Sequence, residues 1–263
     1  MLTTPILWKN QIVEIEYQWL NDEQSDSPIL VFLHEGLGSI LLWRDFPLNI
    51  CRELGVRGLV YSRPAYGWST PRGVDESWQN DFMHQQAMEV LPKFLESLQI
   101  QEPVWILGHS DGGSIALLAA ANHPQLVKGI ILMAPHIFVE NLTISSIEVA
   151  KEQYLHGDLK GKLTKYHRDV DSVFWGWNNI WLNPDFKIWN IVHEISSIQC
   201  PILAIQGFED PYGTMAQIDG IKGAVSHASL VKIPSCGHSP HREQPIIVHQ
   251  AIKDFLVSHQ ALL

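Results

Sequence analysis

Short apolar runs recur along this chain at intervals that leave room for a helix between them. ILVFLH (29–34), GLVYS (58–62), VWILGH (104–109), GIILMA (129–134), PILAIQG (201–207) and SLVKIP (229–234) each have the length and residue types of a strand buried on both faces. Intervening stretches such as DFMHQQAMEVLPKFLESL (81–98) and SIALLAAANH (114–123) read as helices. Parallel strands can be joined only through such crossovers, so the pattern predicts an α/β fold with a mainly parallel central sheet flanked by helices. Earlier, QIVEIEYQWL (11–20) alternates Val13, Ile15, Tyr17 and Trp19 with polar neighbours, as an antiparallel edge strand does.

The alternation breaks once. Residues 137–195 contain helix-like pieces and the aromatic stretch FWGWNNIWLNPDFKIW (174–189), with no clear buried strand. This predicts a helical cap inserted into a core made of residues 1–136 and 196–263, placed where open α/β sheets bind ligands, beyond the carboxyl ends of the strands. Trp175, Trp177 and Trp181 are therefore candidate substrate-binding residues. The competing reading is that these rings only pack the cap against itself.

The run VWILGHSDGGSIALLAA (104–120) ends a strand at Gly108-His109-Ser110-Asp111-Gly112 and passes straight into a helix. A serine on so tight a turn has its hydroxyl lifted clear of the sheet, and glycines on either side keep the neighbouring backbone out of the way. A hydroxyl is a weak nucleophile unless a base takes its proton and a third group orients that base. Two loops that follow later strands offer them. Asp210 lies in ILAIQGFEDPYGT and His238 in VKIPSCGHSPHREQP, giving the order serine, acid, histidine. Glu209 competes with Asp210, and His241 competes with His238.

An acyl-transfer site also needs donors for the developing oxyanion. The N–H of Asp111, after the nucleophile, and that of Gly36, in HEGLGS (34–39), are the candidates. Glu35 beside Gly36 is an unexpected acid, either a substrate-binding group or a solvated turn residue. Together with the Asp111 carboxylate it would suit a substrate bearing an ammonium group. The alternative is that Asp111 is simply an acid at a helix start.

Other chemistries fit less well. His34-Glu35 and His193-Glu194 begin like H-E-x-x-H, but Gly38 and Ser197 stand where the second histidine should be, so no metal is expected. A net charge of −10 without basic runs argues against nucleic acid and anionic membranes as partners. No apolar tract is long enough to span a bilayer, and MLTTPILWKN lacks the basic start and apolar core of a secretory signal. Cys51, Cys200 and Cys236 are too scattered for a disulfide framework. A cytoplasmic protein with a small-molecule substrate is expected; oligomeric state is not legible.

Taken in order, these segments resemble the α/β-hydrolase superfamily. GHSDGG is similar to its nucleophile elbow, LHEGLGS to its oxyanion loop, YSRPAYGWS (61–69) to its D-x-R-G-x-G-x-S stretch, GFED to its acid turn and CGHSPHRE to its histidine loop. Glu35, Ser62 and Ala65 depart from the usual glycine, aspartate and glycine. The resemblance implies a capped hydrolase without metal or organic cofactor, and by the triad a serine hydrolase of a small ester or related acyl compound. Two alternatives stand beside it: a carbon-carbon bond hydrolase of an aromatic ring-cleavage product, and a non-catalytic ligand receptor on the same scaffold.

Overall fold

The computed structural model describes residues 1–23, 27–73 and 76–259. Parts of the expected core, residues 24–26, 74–75 and 260–263, lie outside the described residues. The strands are β1 (Leu2–Trp8), β2 (Gln11–Leu20), β3 (Ile29–Leu33), β4 (Arg57–Tyr61), β5 (Val104–His109), β6 (Val127–Met133), β7 (Ile202–Gly207) and β8 (Ser229–Ile233). They form one sheet in the order β1-β2-β4-β3-β5-β6-β7-β8. From β4 through β8 neighbours are parallel; β2 runs antiparallel to both β1 and β4. This is the expected α/β architecture.

Two local expectations need correction. Gln11–Leu20 is not an edge strand, because Leu2–Trp8 pairs along its outer side. That outer strand buries Thr4 and Ile6 and exposes Leu2 and Leu7. Its Pro5 cannot donate to a ladder, which suits an edge. The helix expected over 81–98 is also not regular: a π-helical turn at Gln86–Val90 separates Phe82–Gln85 from Leu91–Ser97. Pro92 follows this turn, and a proline without an N–H is accommodated where the α-helical ladder is already interrupted.

The sheet has a core on each face because its side chains alternate. Val31, Leu33, Val104 and Ile106 face one cluster with Ile115 and Phe94. Leu30, Phe32, Trp105 and Leu107 face the other, with Ile50 from the helix Phe46–Leu54 and Phe255 from the helix Pro245–Ser258. The helix Asp111–Asn122 is buried from Asp111 to Ala120, which explains its continuously apolar and small composition.

Between β6 and β7 the chain leaves the sheet as helices Asn141–His156, Leu159–Leu163 and Val170–Trp181, followed by shorter turns at Pro184–Ile188 and Val192–Ile195. A bridge between Phe138 and Asn190 joins the two ends of this excursion. Ile147, Phe174, Trp177 and Trp181 share a cluster with Ile115 and Ile137, so the excursion packs onto the sheet-side core.

Candidate active site

β5 delivers Ser110 to the carboxyl edge of the sheet. Its backbone takes φ 53° and ψ −120°, a strained corner for a residue with a side chain. The flanking glycines are required sterically: a Cβ on Gly108 would strike the Gly112 backbone, and one on Gly112 would strike the Leu33 carbonyl.

The loops after β7 and β8 bring two of the expected partners to this corner. His238 Nε2 lies 2.9 Å from Ser110 Oγ, and its Nδ1 lies 2.8 and 2.9 Å from the two Asp210 oxygens. Asp210 also accepts from the Tyr212 N–H at 2.8 Å and from Gln206 Nε2 at 3.3 Å. Burial opposes its charge, but the bonds from His238 and the Tyr212 N–H hold its carboxyl below the usual range. The competitors stand elsewhere. Glu209 is exposed. His241 is buried among Trp43, Phe46 and His109, with neither ring nitrogen partnered.

Two further residues hold the histidine loop, and neither was singled out from the sequence. Glu243 accepts from the N–H groups of Gly237 at 2.7 Å and Ser239 at 2.9 Å, on either side of His238. His109 Nε2 donates to the His238 carbonyl at 2.7 Å, tying the loop to the serine turn.

Asp111 begins its helix, so its N–H has no acceptor within that helix and is free to face a ligand. The orientation of Gly36 is set from behind. Its neighbour's carbonyl, Glu35 O, accepts from His34 Nδ1 at 2.8 Å, Arg63 Nη2 at 2.9 Å and Gly38 N at 3.0 Å. The peptide is planar and trans, so fixing that oxygen fixes the Gly36 N–H in the opposite direction. His34 Nε2 accepts from the Arg63 N–H at 3.0 Å. Burial first, then Arg63, pushes its pKa well down, and the neutral Nδ1–H form fits both bonds. His167 adds a tie from the β6–β7 excursion: its Nε2 donates to Leu37 O at 2.9 Å while its Nδ1 accepts from Gly67 N at 3.0 Å.

The two acids differ from the ammonium-binding arrangement. Asp111 is 1% exposed and already faces a cation, with Arg63 Nη2 3.9 Å from its Oδ2. Burial raises its pKa to about 6 despite the attraction of Arg63. Glu35 is partly buried, 3.6 Å from His109 Nδ1 and 4.0 Å from Arg242 Nη2. Burial opposes its ionisation, yet His109 and Arg242 hold its carboxyl well below the usual range. It is not a solvated turn residue.

A cavity of about 330 Å³ opens over Ser110, lined by Glu35, Gly36, Asp111, Trp177, Trp181 and His238 among others. Trp175, expected with the other two tryptophans, is absent from this wall. Helical geometry turns it to another side, where it meets Tyr154 and Phe174 edge-on at 5.7 and 5.1 Å. His136, Tyr212 and Arg242 also line the cavity. Sequence reading missed them because His136 and Tyr212 come from loops, and Arg242 from the short helix Pro240–Glu243, without a local pattern that marks them. Of the departures from the superfamily stretch, Ala65 sits at φ 78°, where a glycine would be unstrained, and Ser62 donates to Glu16 Oε2 at 2.7 Å.

A family model described as the alpha/beta hydrolase fold matches residues 28–164. The chain is 23% identical over 205 residues to mouse serine hydrolase BPHL, covering 73% of this chain and 66% of that protein's length. It is 27% identical over 252 residues to a monoglyceride lipase homolog of monkeypox virus, covering 86% and 87% of the two chains. In structure it is similar to a carboxylesterase from Nitrososphaera gargenis, with a TM-score of 0.77, 20% identity and coverage of 97% and 98%. The chain belongs to the alpha/beta hydrolase fold family.

Proposed function

We propose that this protein is a serine hydrolase that cleaves a small ester or related acyl compound through an acyl-enzyme on Ser110. The observation that carries this reading is the continuous hydrogen-bond chain from Ser110 Oγ through His238 to Asp210. In the first half-reaction Oγ attacks the carbonyl carbon and its proton passes to His238 Nε2. The carbonyl oxygen becomes an oxyanion facing the N–H groups of Gly36 and Asp111. Collapse breaks the bond to the leaving group, which takes the proton from His238. In the second half, water attacks the acyl carbon and gives its proton to His238, then Ser110 departs and recovers it. Asp210 stays ionised throughout and holds the imidazole with Nε2 toward Ser110.

Residues 137–195 serve as the cap, with Trp177 and Trp181 forming part of the substrate wall. A cavity of about 330 Å³ lies at the small end of ligand pockets, which favours a compact substrate over a long chain. The names of the esterase and lipase relatives point the same way on bond type. We also propose a cytoplasmic protein; the three cysteines are free, and no helix among the described residues is long and apolar enough to cross a membrane.

The test is labelling by a fluorophosphonate, with hydrolysis of acyl-varied p-nitrophenyl esters measured in parallel. Ser110→Ala should abolish labelling and lower kcat by about 10³-fold or more. Labelling that survives Ser110→Ala would overturn the assignment, and a folded wild type that neither labels nor hydrolyses would favour a ligand receptor.

A further inference from the structure

The proposed mechanism gives no task to a buried polar ring on the cavity wall. His136 follows β6 and is 2% exposed, yet its ring lines the cavity above Ser110. Its backbone is locked in both directions by one side chain: Ser114 Oγ donates to its carbonyl at 2.6 Å and accepts from its N–H at 3.1 Å. The ring lies edge-on to Trp181 at 5.1 Å and 6.0 Å from the His238 ring. Its Nδ1 is sealed from solvent and has no hydrogen-bond partner. An apolar ring in this position would avoid that loss, and buried polar groups without a partner are rare enough to require a reason.

Charge and tautomer limit what the reason can be. Burial, aided by the neighbouring His238, lowers the pKa to about 3, so the imidazole is neutral at physiological pH and is no receptor for an anion. Glu35 and Asp111 on the same wall also disfavour anions, and the one arginine there, Arg242, is turned to Glu35 at 4.0 Å. A sealed N–H without an acceptor is rarer in proteins than a sealed acceptor without a donor. The tautomer that seals no donor away from an acceptor is assigned, with Nδ1 bare and the N–H on Nε2, the nitrogen left to meet a ligand. A neutral donor on a wall that also carries the apolar side chains of Ile147, Leu159, Trp177 and Trp181 selects a neutral oxygen.

We infer that His136 is a specificity-determining residue: it donates a hydrogen bond to a second oxygen of the substrate, so that preferred esters carry an ether, hydroxyl or keto oxygen a few bonds from the scissile carbonyl. This rests on the serine-hydrolase reading of Ser110. The position beside His238 puts that oxygen within reach from either the acyl or the alcohol side, and the two are separated by the choice of probe.

The experiment uses isosteric ester pairs in which one methylene is replaced by oxygen: methoxyacetyl against butanoyl on a common alcohol, and 2-methoxyethyl against n-butyl on a common acid. The ratio of kcat/KM within each pair is compared between wild type, His136→Phe, which removes the donor, and His136→Gln, which supplies one. His136→Leu replaces His136→Phe should the latter fail to fold by thermal melt. In one pair the oxygen-bearing ester should lose about 10-fold or more relative to its partner in His136→Phe, with recovery in His136→Gln. Ratios within about threefold of wild type in both pairs, with Ser110 still labelled by fluorophosphonate, would overturn the inference and leave the hydrolase reading intact. Loss of labelling at Ser110 in the wild type would instead remove the reading beneath it.

Discussion

Gly36 gives the sharpest test of the oxyanion site, because its missing side chain is filled by a neighbour. A Cβ built on Gly36 would fall inside the indole of Trp177: Nε1 and Cδ1 would be closest, and even the third-nearest atom, Cε2, would stand at 3.1 Å. Carbon contacts settle near about 3.5–4.0 Å, so Gly36→Ala demands a separation of roughly 1 Å or more. Trp177 is 6% exposed and sits against Phe174 at 6.0 Å, which leaves the ring little freedom to retreat. The displacement therefore falls largely on the loop that aims the Gly36 N–H. Misplacement by about 1 Å at a reacting centre costs on the order of 10²-fold, and loss of one oxyanion donor about 10² to 10³-fold. Gly36→Ala should thus lower kcat on a p-nitrophenyl ester by about 10²-fold. The second variant makes the argument specific: Gly36→Ala with Trp177→Ala has room for the new methyl group and should recover at least about tenfold of that loss. Stopped-flow acylation kinetics, with melting curves to exclude unfolding, would measure both. A Gly36→Ala enzyme within about threefold of wild type, or a double variant no better than the single, would refute the placement of this N–H in the reaction.

Other consequences follow from the same geometry. Asp210→Asn should lower kcat by about 10³-fold or more with little change in KM, and adding it to Ser110→Ala should cost almost nothing further, by steady-state kinetics. Asp111 tests the buried charge: its carboxyl is raised from 3.8 to about 6, so its contribution is favourable below 3.8 and is lost as pH rises through 6. Asp111→Asn should therefore gain on wild type by roughly 2 kcal/mol between pH 4 and pH 7 in urea unfolding. His136 has the opposite sign: lowered from 6.5 to about 3, it stabilises the folded state above 6.5 relative to acid and loses that contribution as pH falls. His136→Phe should gain on wild type by about 2 kcal/mol on going from pH 7 to pH 5. Trp181→Phe should change the ranking of acyl groups, whereas Trp175→Ala should lower Tm and leave the ranking alone, by substrate panels and melting curves.

The fold was readable where burial imposes a period. Strands β3 to β7 are buried along most or all of their length, so each appears as an apolar run whose limits differ from the structure by a residue or two. β8 was expected to be buried on both faces but lies at the sheet edge with only Ile233 buried. β1 carries a weaker signal because only Thr4 and Ile6 are buried, and the chain around Pro5 resembles a loop. The π-helical turn at Gln86–Val90 was not readable either. It adjusts the helix to its packing and to Pro92 without changing which residues are apolar.

The site divides in a similar way. Ser110, Asp210 and His238 sit at strand ends, where a break in the apolar pattern marks each position, and the three sites share one edge because their strands are parallel. The groups that aim them leave no such mark. Arg63 stands in the YSRPAYGWS stretch, but nothing local shows that it is fully buried, and its meaning depends on Glu35 O, 28 positions away. The same holds for His167, whose acceptor Leu37 O is 130 positions away, and for Trp177, whose ring occupies the side-chain space of Gly36. These contacts bring the loop after β4 and the β6–β7 excursion onto residues 35–37 of the loop after β3. Altering the excursion therefore reaches the reaction along two routes, by reshaping the cavity and by moving an oxyanion donor. His167 does not itself line the cavity and reaches it only through Leu37 O, so its substitution weighs on the second route: His167→Ala should lower kcat more than it alters the ranking of acyl groups, by steady-state kinetics on the acyl panel.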